Sequence, residues 1–442
     1  MQLQNAPDLK TPKSTSNLKK NLPALALLAL SLALLIWADA SVIIPLKELN
    51  LPNSGNDFGV FWSGTRTVAQ GGNPYLTAPG SIYRNTVIAA GGNLQPLEPF
   101  ISPFYLTLLF MPVAIFPLGI AALIWTVAEQ VLLAIALVLI IRISGRKQTP
   151  GSLLLGIGMA MLLRYTFLVM MVGNLTLLLL FAVTASYYSS RKGRPFLAGI
   201  FAALLLLKPQ IVFLILPFLL VVPTLDPSGV AGWLNRQTYR RWLGFICGGL
   251  IFAVYSFVLL PGWLSEWIKG VSATGYSDSN NLDGVMTSLR SLAAVLVPDK
   301  SMVQPVMFLM AIPLWLGLGL LWWRNRSNVA NFPYLLAISV TLNIMTTPYI
   351  RDYDSALLIF PLILSYFSLR NYELTHRQGL PWSLVCWLLA LLPVPVHLMA
   401  GTFTYALENL VTFLVICTVA LAWFKSNRLK GTTESLKVTV AG

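Results

Sequence analysis

This sequence predicts an all-α polytopic membrane protein, on three observations. Its 442 residues are 56% hydrophobic and only 10% charged, with a mean hydropathy of +0.72; ordinary soluble domains carry about 25% charged residues. Apolar stretches recur from Leu22 to Phe424, each about long enough at 1.5 Å per residue to cross a hydrocarbon layer roughly 30 Å thick. The short alternating segments of a transmembrane β-barrel do not occur.

The elements follow from the apolar runs and from the basic clusters that separate them. Lysine and arginine mark cytoplasmic loops, and they cluster at 10–20, 142–147, 191–194, 236–241, 324–326, 370–377 and 425–437. Placing every cluster on one side gives spans at about 22–44, 118–142, 151–170, 172–188, 240–260, 301–323, 330–348, 355–370, 382–398 and 403–424. The run 196–222 is interrupted by Lys208-Pro209-Gln210. Read as one helix it would strand Arg236, Arg240 and Arg241 outside; read as two short helices meeting at Lys208 it returns, making twelve membrane segments. The interval 99–117, with prolines at 99, 103, 112 and 117, reads as a juxtamembrane or re-entrant helix. The expected organisation is a cytoplasmic tail (1–21), one transmembrane domain (22–424) with external intervals 45–117 and 261–300, and a cytoplasmic tail (425–442). The polar N-terminal stretch leads into an uncleaved first helix, with no small-residue cleavage signal after it.

Composition also excludes function classes. The formal charge of +14 is explained by cytoplasmic basic loops, so no nucleic-acid partner is expected. Cys247, Cys386 and Cys417 lie in apolar segments without metal or disulfide spacing. No phosphate-cradling glycine loop, His-Glu-x-x-His or Gly-x-Ser-x-Gly is present, so neither a soluble nucleotide donor nor a cofactor or metal is expected.

With that topology, the acids and several lone cations collect on the external face. Asp57, Arg66, Tyr75, Tyr105, Lys208, Gln210, Asn281, Asp283, Arg290, Tyr349, Arg351, Asp352 and Asp354 all fall there. A carboxylate beside isolated cations at a membrane surface suits attack on a phosphate-linked substrate: the acid takes a hydroxyl proton and the cations hold the leaving phosphate. Each residue has a plainer reading too. Asp57 can cap the helix starting at Phe58, Lys208 can snorkel at a kink, and Arg351, Asp352 and Asp354 can pair among themselves. Arg164 sits alone in a span with no partner the sequence can name, and His397 reads as interfacial.

The strings Asp57-Phe-Gly-Val-Phe-Trp62, Gly72-Asn-Pro-Tyr75, Ser102-Pro-Phe-Tyr105, Leu207-Lys-Pro-Gln210, Asn281-Leu-Asp-Gly284, Ser288-Leu-Arg290 and Tyr349-Ile-Arg-Asp-Tyr-Asp354 occur in that order. Together they resemble glycosyltransferase family 87 of the GT-C superfamily, over roughly residues 20–425. The resemblance implies a GT-C type fold and an inverting, metal-independent transfer of a hexose, most often mannose. The donor is a polyprenyl-phosphate sugar and the acceptor a lipid-linked or envelope glycan, outside the cytoplasmic membrane. It implies Asp57 as general base, with Asp352 and Asp283 in reserve. Lys208, Arg351 and Arg290 become donor-phosphate ligands. Arg66, Tyr75, Tyr105, Gln210, Asn281, Asp283, Tyr349, Asp352 and Asp354 become sugar-binding residues. A monomer is expected, with membrane lipids as its surroundings. The main rival reading is a lipid or lipid-linked saccharide transporter, and a non-catalytic assembly partner is the other. Transporters place broken helices in repeated halves, and the break at Lys208 has no counterpart in the second half of the chain.

Overall fold

The structure, a computed structural model, describes residues 29–30, 33, 36, 57–90, 100–221, 236–275, 286–376, 382–399 and 404–441. Most of the predicted first span, Asn281 and Asp283 lie outside the described residues. Among the described residues all regular structure is helical. The helices are α1 (Asp57–Ala69), α2 (Ile82–Ala89), α3 (Leu106–Phe110), α4 (Leu118–Ile143), α5 (Pro150–Leu162), α6 (Arg164–Val172), α7 (Thr176–Arg191), α8 (Pro195–Ala203) and α9 (Ile215–Val221). They continue as α10 (Arg236–Leu259), α11 (Trp263–Gly275), α12 (Leu289–Leu296), α13 (Lys300–Asn325), α14 (Phe332–Thr346), α15 (Ile359–His376), α16 (Ser383–Leu391), α17 (Pro393–Met399) and α18 (Thr404–Ala441). Short 3-10 turns at Leu204–Leu207, Pro209–Ile211 and Asp352–Leu358 complete the elements used below.

Among the described residues six helical stretches are long and apolar enough to cross a membrane, which does not confirm the twelve segments expected: Leu118–Ile143, Gln237–Leu259, Lys300–Asn325, Val329–Thr346, Asp352–Leu374 and Tyr405–Asn427. A seventh results if α5 and α6, bent by 75° at Leu163, count as one broken span. The chain is a multi-pass membrane protein. The difference has a physical cause: hydropathy records apolar length but not bends. Breaks at Leu163 and Lys208 cut predicted spans into shorter pieces, and the apolar helical stretch Ser383–Leu398 is itself short. The segment 99–117 contributes only the five-residue α3, whose Phe110 packs against Phe58 and Phe61 of α1.

Val329–Thr346 and Asp352–Leu374 are mostly buried and run through the main core, whereas few residues of Gln237–Leu259 and Lys300–Asn325 are buried, as suits apolar helices that face lipid. The Lys208 segment doubles back. Gly199 of α8 packs against the Arg241 carbonyl at the start of α10 so closely that a Cβ there would lie 2.0 Å from it. The Arg241 guanidinium in turn donates to the Leu219 and Leu220 carbonyls of α9 (3.0 and 3.3 Å). The beginning of α8 and the end of α9 therefore share one level, with Lys208 at the far end of the loop between them.

The broken backbone there is satisfied by side chains from distant elements, as an irregular stretch inside an apolar environment must be. The Tyr105 hydroxyl donates to the Leu206 carbonyl (2.7 Å), the Asn343 amide donates to the Ile211 carbonyl (2.6 Å), and the Leu214 N–H donates to the Asn343 side-chain oxygen (2.8 Å). These bonds hold Lys208 in a fixed, non-helical conformation (φ −143°, ψ 69°).

Candidate active site

Four segments distant in sequence meet at Asp57. Asp57 opens α1, where the partial positive charge of the helix N-terminus favours a carboxylate. Its role is not confined to capping: Oδ2 accepts a 2.5 Å hydrogen bond from the Asn174 amide, 117 residues away. Asn174 lies in the turn between α6 and α7, directly after Gly173, whose left-handed backbone (φ +67°) suits glycine. A Cβ on Gly173 would meet Phe58 Cβ at 2.6 Å, and the Trp125 indole donates to the Gly173 carbonyl at 3.1 Å. Gly173→Ala is therefore expected to destabilise the protein by more than the ~1–2 kcal/mol of left-handed strain, because Phe58 must also move. Thermal unfolding in detergent, paired with a transfer assay, checks both the loss and the displacement of Asn174.

From Asn174 a polar chain continues inward. Its side-chain oxygen accepts from Lys208 (3.3 Å) and from the Thr176 hydroxyl (2.9 Å). The Lys208 ammonium pairs with Asp354 at 2.5 Å and lies 5.1 Å over the Tyr353 ring, and the Thr176 hydroxyl sits 2.8 Å from the same Asp354 oxygen. Asp354 also accepts from the Arg351 backbone N–H (3.2 Å), which fixes the start of the 3-10 turn Asp352–Leu358. Asp354 is buried and Lys208 nearly so. Losing one partner of such a pair strands a buried charge, at a cost of about 3–5 kcal/mol. Lys208→Met and Asp354→Asn are each expected to destabilise strongly, and the double variant by less than the sum of the two. Unfolding midpoints of the four proteins in one detergent decide it.

The same turn carries a second pair. Asp352 binds Arg164 at 3.0 Å, and Arg164 lies 3.7 Å from Glu408 of α18 and 3.2 Å from the His397 ring of α17. Arg164, left without a partner by the sequence, is placed at the α5–α6 bend and reaches groups 188 to 244 residues further on. The Tyr349–Asp354 motif thus hands its two acids to the two lone cations of the apolar segments. Neither Asp57 nor Arg351 has an ion-pair partner within 4.0 Å among the described residues, although each lies within the other's electrostatic influence. Tyr353 lies close enough to Asp57, and Tyr349 to Arg351, to influence their ionisation.

Burial pushes the pKa of Asp57 above its ordinary value, against the opposing pull of Lys208, the hydrogen bond from Asn174, Tyr353 and Arg351. The residue itself keeps part of its surface open. It is a half-buried carboxylate that is more basic than one in water.

Other residues singled out from the sequence lie elsewhere or act on the scaffold. Arg66, at the far end of α1, donates to the Ala114 and Ile115 carbonyls (2.7 and 3.2 Å) and lies over Trp62. The Tyr75 hydroxyl donates to the Ser102 carbonyl (2.9 Å), and Tyr105 staples the Lys208 break. Gln210 is exposed on the turn after Lys208. Buried Arg290 donates to the Pro348 carbonyl (3.4 Å), with its neighbour Thr287 donating through its N–H to the Ile350 carbonyl at 3.4 Å. Sequence reasoning assigned no role to Asn174, Thr176, Tyr353 or Glu408. The one available signal was that Asn174 follows a turn glycine on the face assigned to Asp57. A cavity of about 810 Å³ between α16, α17 and α18 is almost wholly apolar and holds none of these charged groups.

The family model for glycosyltransferase family 87 matches residues 100–348, more than half of the chain. The chain belongs to glycosyltransferase family 87. It is accordingly a membrane glycosyltransferase, and the matched region contains Asn174, Lys208 and Arg290. No curated protein matches the chain in sequence. Among the described residues no group of three or more His, Cys, Asp or Glu side chains could hold a metal ion.

Proposed function

We propose that this glycosyltransferase moves a hexose, with mannose the first candidate, from a polyprenyl-phosphate sugar to a hydroxyl of a lipid-linked or envelope glycan. The reaction is placed on the external face of the cytoplasmic membrane. The observation that carries the reading is the pairing pattern. Of the six charged groups Asp57, Arg164, Lys208, Arg351, Asp352 and Asp354, four are joined in two ion pairs, which leaves one acid and one cation for a substrate.

Asp57 takes the proton of the acceptor hydroxyl as its oxygen attacks C1 of the donor sugar. The bond from C1 to the phosphate oxygen breaks, and the phosphate leaves with the electron pair toward Arg351. A single displacement inverts the anomeric centre, so a β-linked donor yields an α-linked product. One base suffices; a retaining route needs a second carboxylate as nucleophile. Lys208 is committed to Asp354 and Asn174, so our assignment of the phosphate centres on Arg351, with Arg290 behind the same segment. Lys208 acts on the base: through Asn174 it orients Asp57, and its charge draws the Asp57 pKa down. Tyr349 and Gln210 remain candidates for sugar contacts, as do Asn281 and Asp283 of the loop 261–300.

Purified protein in liposomes is expected to release polyprenyl phosphate from polyprenyl-phosphate mannose only when an acceptor glycolipid is present, and to ignore nucleotide-linked mannose. Movement of the intact donor across the bilayer without sugar release would favour a transporter.

A further inference from the structure

Helices α4 and α7 each present one end to the Asp57 site. Trp125 of α4 binds the Gly173 carbonyl, and Thr176 at the start of α7 touches Asn174 and Asp354. Their other ends, roughly 22–25 Å further on at 1.5 Å per residue, carry Arg142 and Arg191. The sequence reads the two basic clusters there as separate topology markers. The fold brings them together: Arg142, Arg146, Arg191 and Lys192 line one cavity of about 380 Å³ with Tyr188, Ile143 and Gly145.

One cation per helix C-terminus is accounted for by the helix dipole, and a cytoplasmic loop needs only net positive charge. Neither requires four cations around one cavity. None of the four has a carboxylate within 4.0 Å among the described residues. Their contacts are neutral and orienting. Arg142 Nε and Nη2 both donate to the Gln148 side-chain oxygen (3.2 and 3.1 Å), and Arg146 donates to the Asn371 side-chain oxygen (3.4 Å). Arg142 and Lys192 flank the Tyr188 ring at 6.0 and 5.6 Å from its centroid. Like charges held this close repel one another, and an anion in the cavity relieves all of them at once. Two guanidinium forks with a lysine and a further arginine suit the oxygens of a phosphate. Val131 and Ile135 of α4, exposed on the apolar stretch leading to the cavity, offer acyl chains a surface beside it.

We propose that this cavity is a phosphate-binding site, distinct from the Asp57 cluster and independent of how that cluster works, whose occupant is the phosphate of an anionic phospholipid headgroup. The test is binding of short-chain phosphatidylglycerol to the full chain in zwitterionic detergent, read by native mass spectrometry. Phosphatidylcholine and inorganic phosphate serve as comparison arms. Phosphatidylglycerol is expected to bind at least about tenfold more tightly than phosphatidylcholine, and raised salt should weaken it. The double variant Arg142→Gln/Arg191→Gln should lose that preference and keep its sugar-transfer activity, while Arg142→Lys/Arg191→Lys should restore much of the binding. Equal binding of the two lipids, or an unchanged preference in the Gln variant, overturns the site. Saturation by millimolar inorganic phosphate with no added effect of phosphatidylglycerol overturns the lipid source. A Gln variant that no longer unfolds cooperatively is replaced by Arg146→Gln/Lys192→Gln, judged by the same readout.

Discussion

Replacing Asp57 by Asn is expected to lower sugar transfer by about 100- to 10,000-fold, the range for loss of a general base, in a protein that still folds and binds donor. Asn has the size of Asp and can still meet the Asn174 amide through its own oxygen. The buried charge is gone, so the thermal midpoint should hold or rise. Loss of folding together with activity would instead make Asp57 a structural cap. The same residue sets the acid side of the pH profile. A base works only when unprotonated, so kcat/KM falls as pH drops through the Asp57 pKa, and burial moves that limb above the ordinary carboxylate range. Lys208 pulls the value down, so Lys208→Met should shift the limb to still higher pH. A limb that stays in place would uncouple Lys208 from the base.

The second large effect is expected at Arg351. A cation aimed at developing charge on a leaving group stabilises the transition state more than the bound substrate, and losing one such group costs about 100- to 1,000-fold in kcat. Arg351→Gln should show that loss with a smaller change in donor KM, and Arg351→Lys should recover part of it. Its backbone N–H still reaches Asp354 in either variant, so the turn should survive. A variant that lost only donor affinity would place Arg351 in ground-state binding, and full activity would remove it from the phosphate.

Some of this arrangement was legible in the sequence because its signals are local. A lysine and proline inside a long apolar run mark a break, and the chain does double back at Lys208. A carboxylate in a short polar interval marks a candidate site, and four segments do converge on Asp57. Pairing was not legible, since it joins residues more than a hundred positions apart. Arg164 is explained only by Asp352, His397 and Glu408, which arrive on three later elements. The bend at Leu163 leaves hydropathy unchanged, so it could not be read from the apolar run. Tyr75 and Tyr105 sit in motif strings, and Arg66 between two of them, yet all three spend their polar groups on backbone carbonyls. Such pins are needed because irregular backbone near a membrane has few other donors, and in sequence they look the same as substrate ligands.

The role of Asp57 can be separated from every structural role by giving the site a nucleophile that carries no proton. Azide needs no base to attack C1. In an Asp57→Gly variant with bound polyprenyl-phosphate mannose, azide should restore release of polyprenyl phosphate and yield a mannosyl azide of inverted configuration, while the natural acceptor stays inert. Donor bound normally with no release at any azide concentration, or a product of retained configuration, would contradict Asp57 as the base of a single displacement.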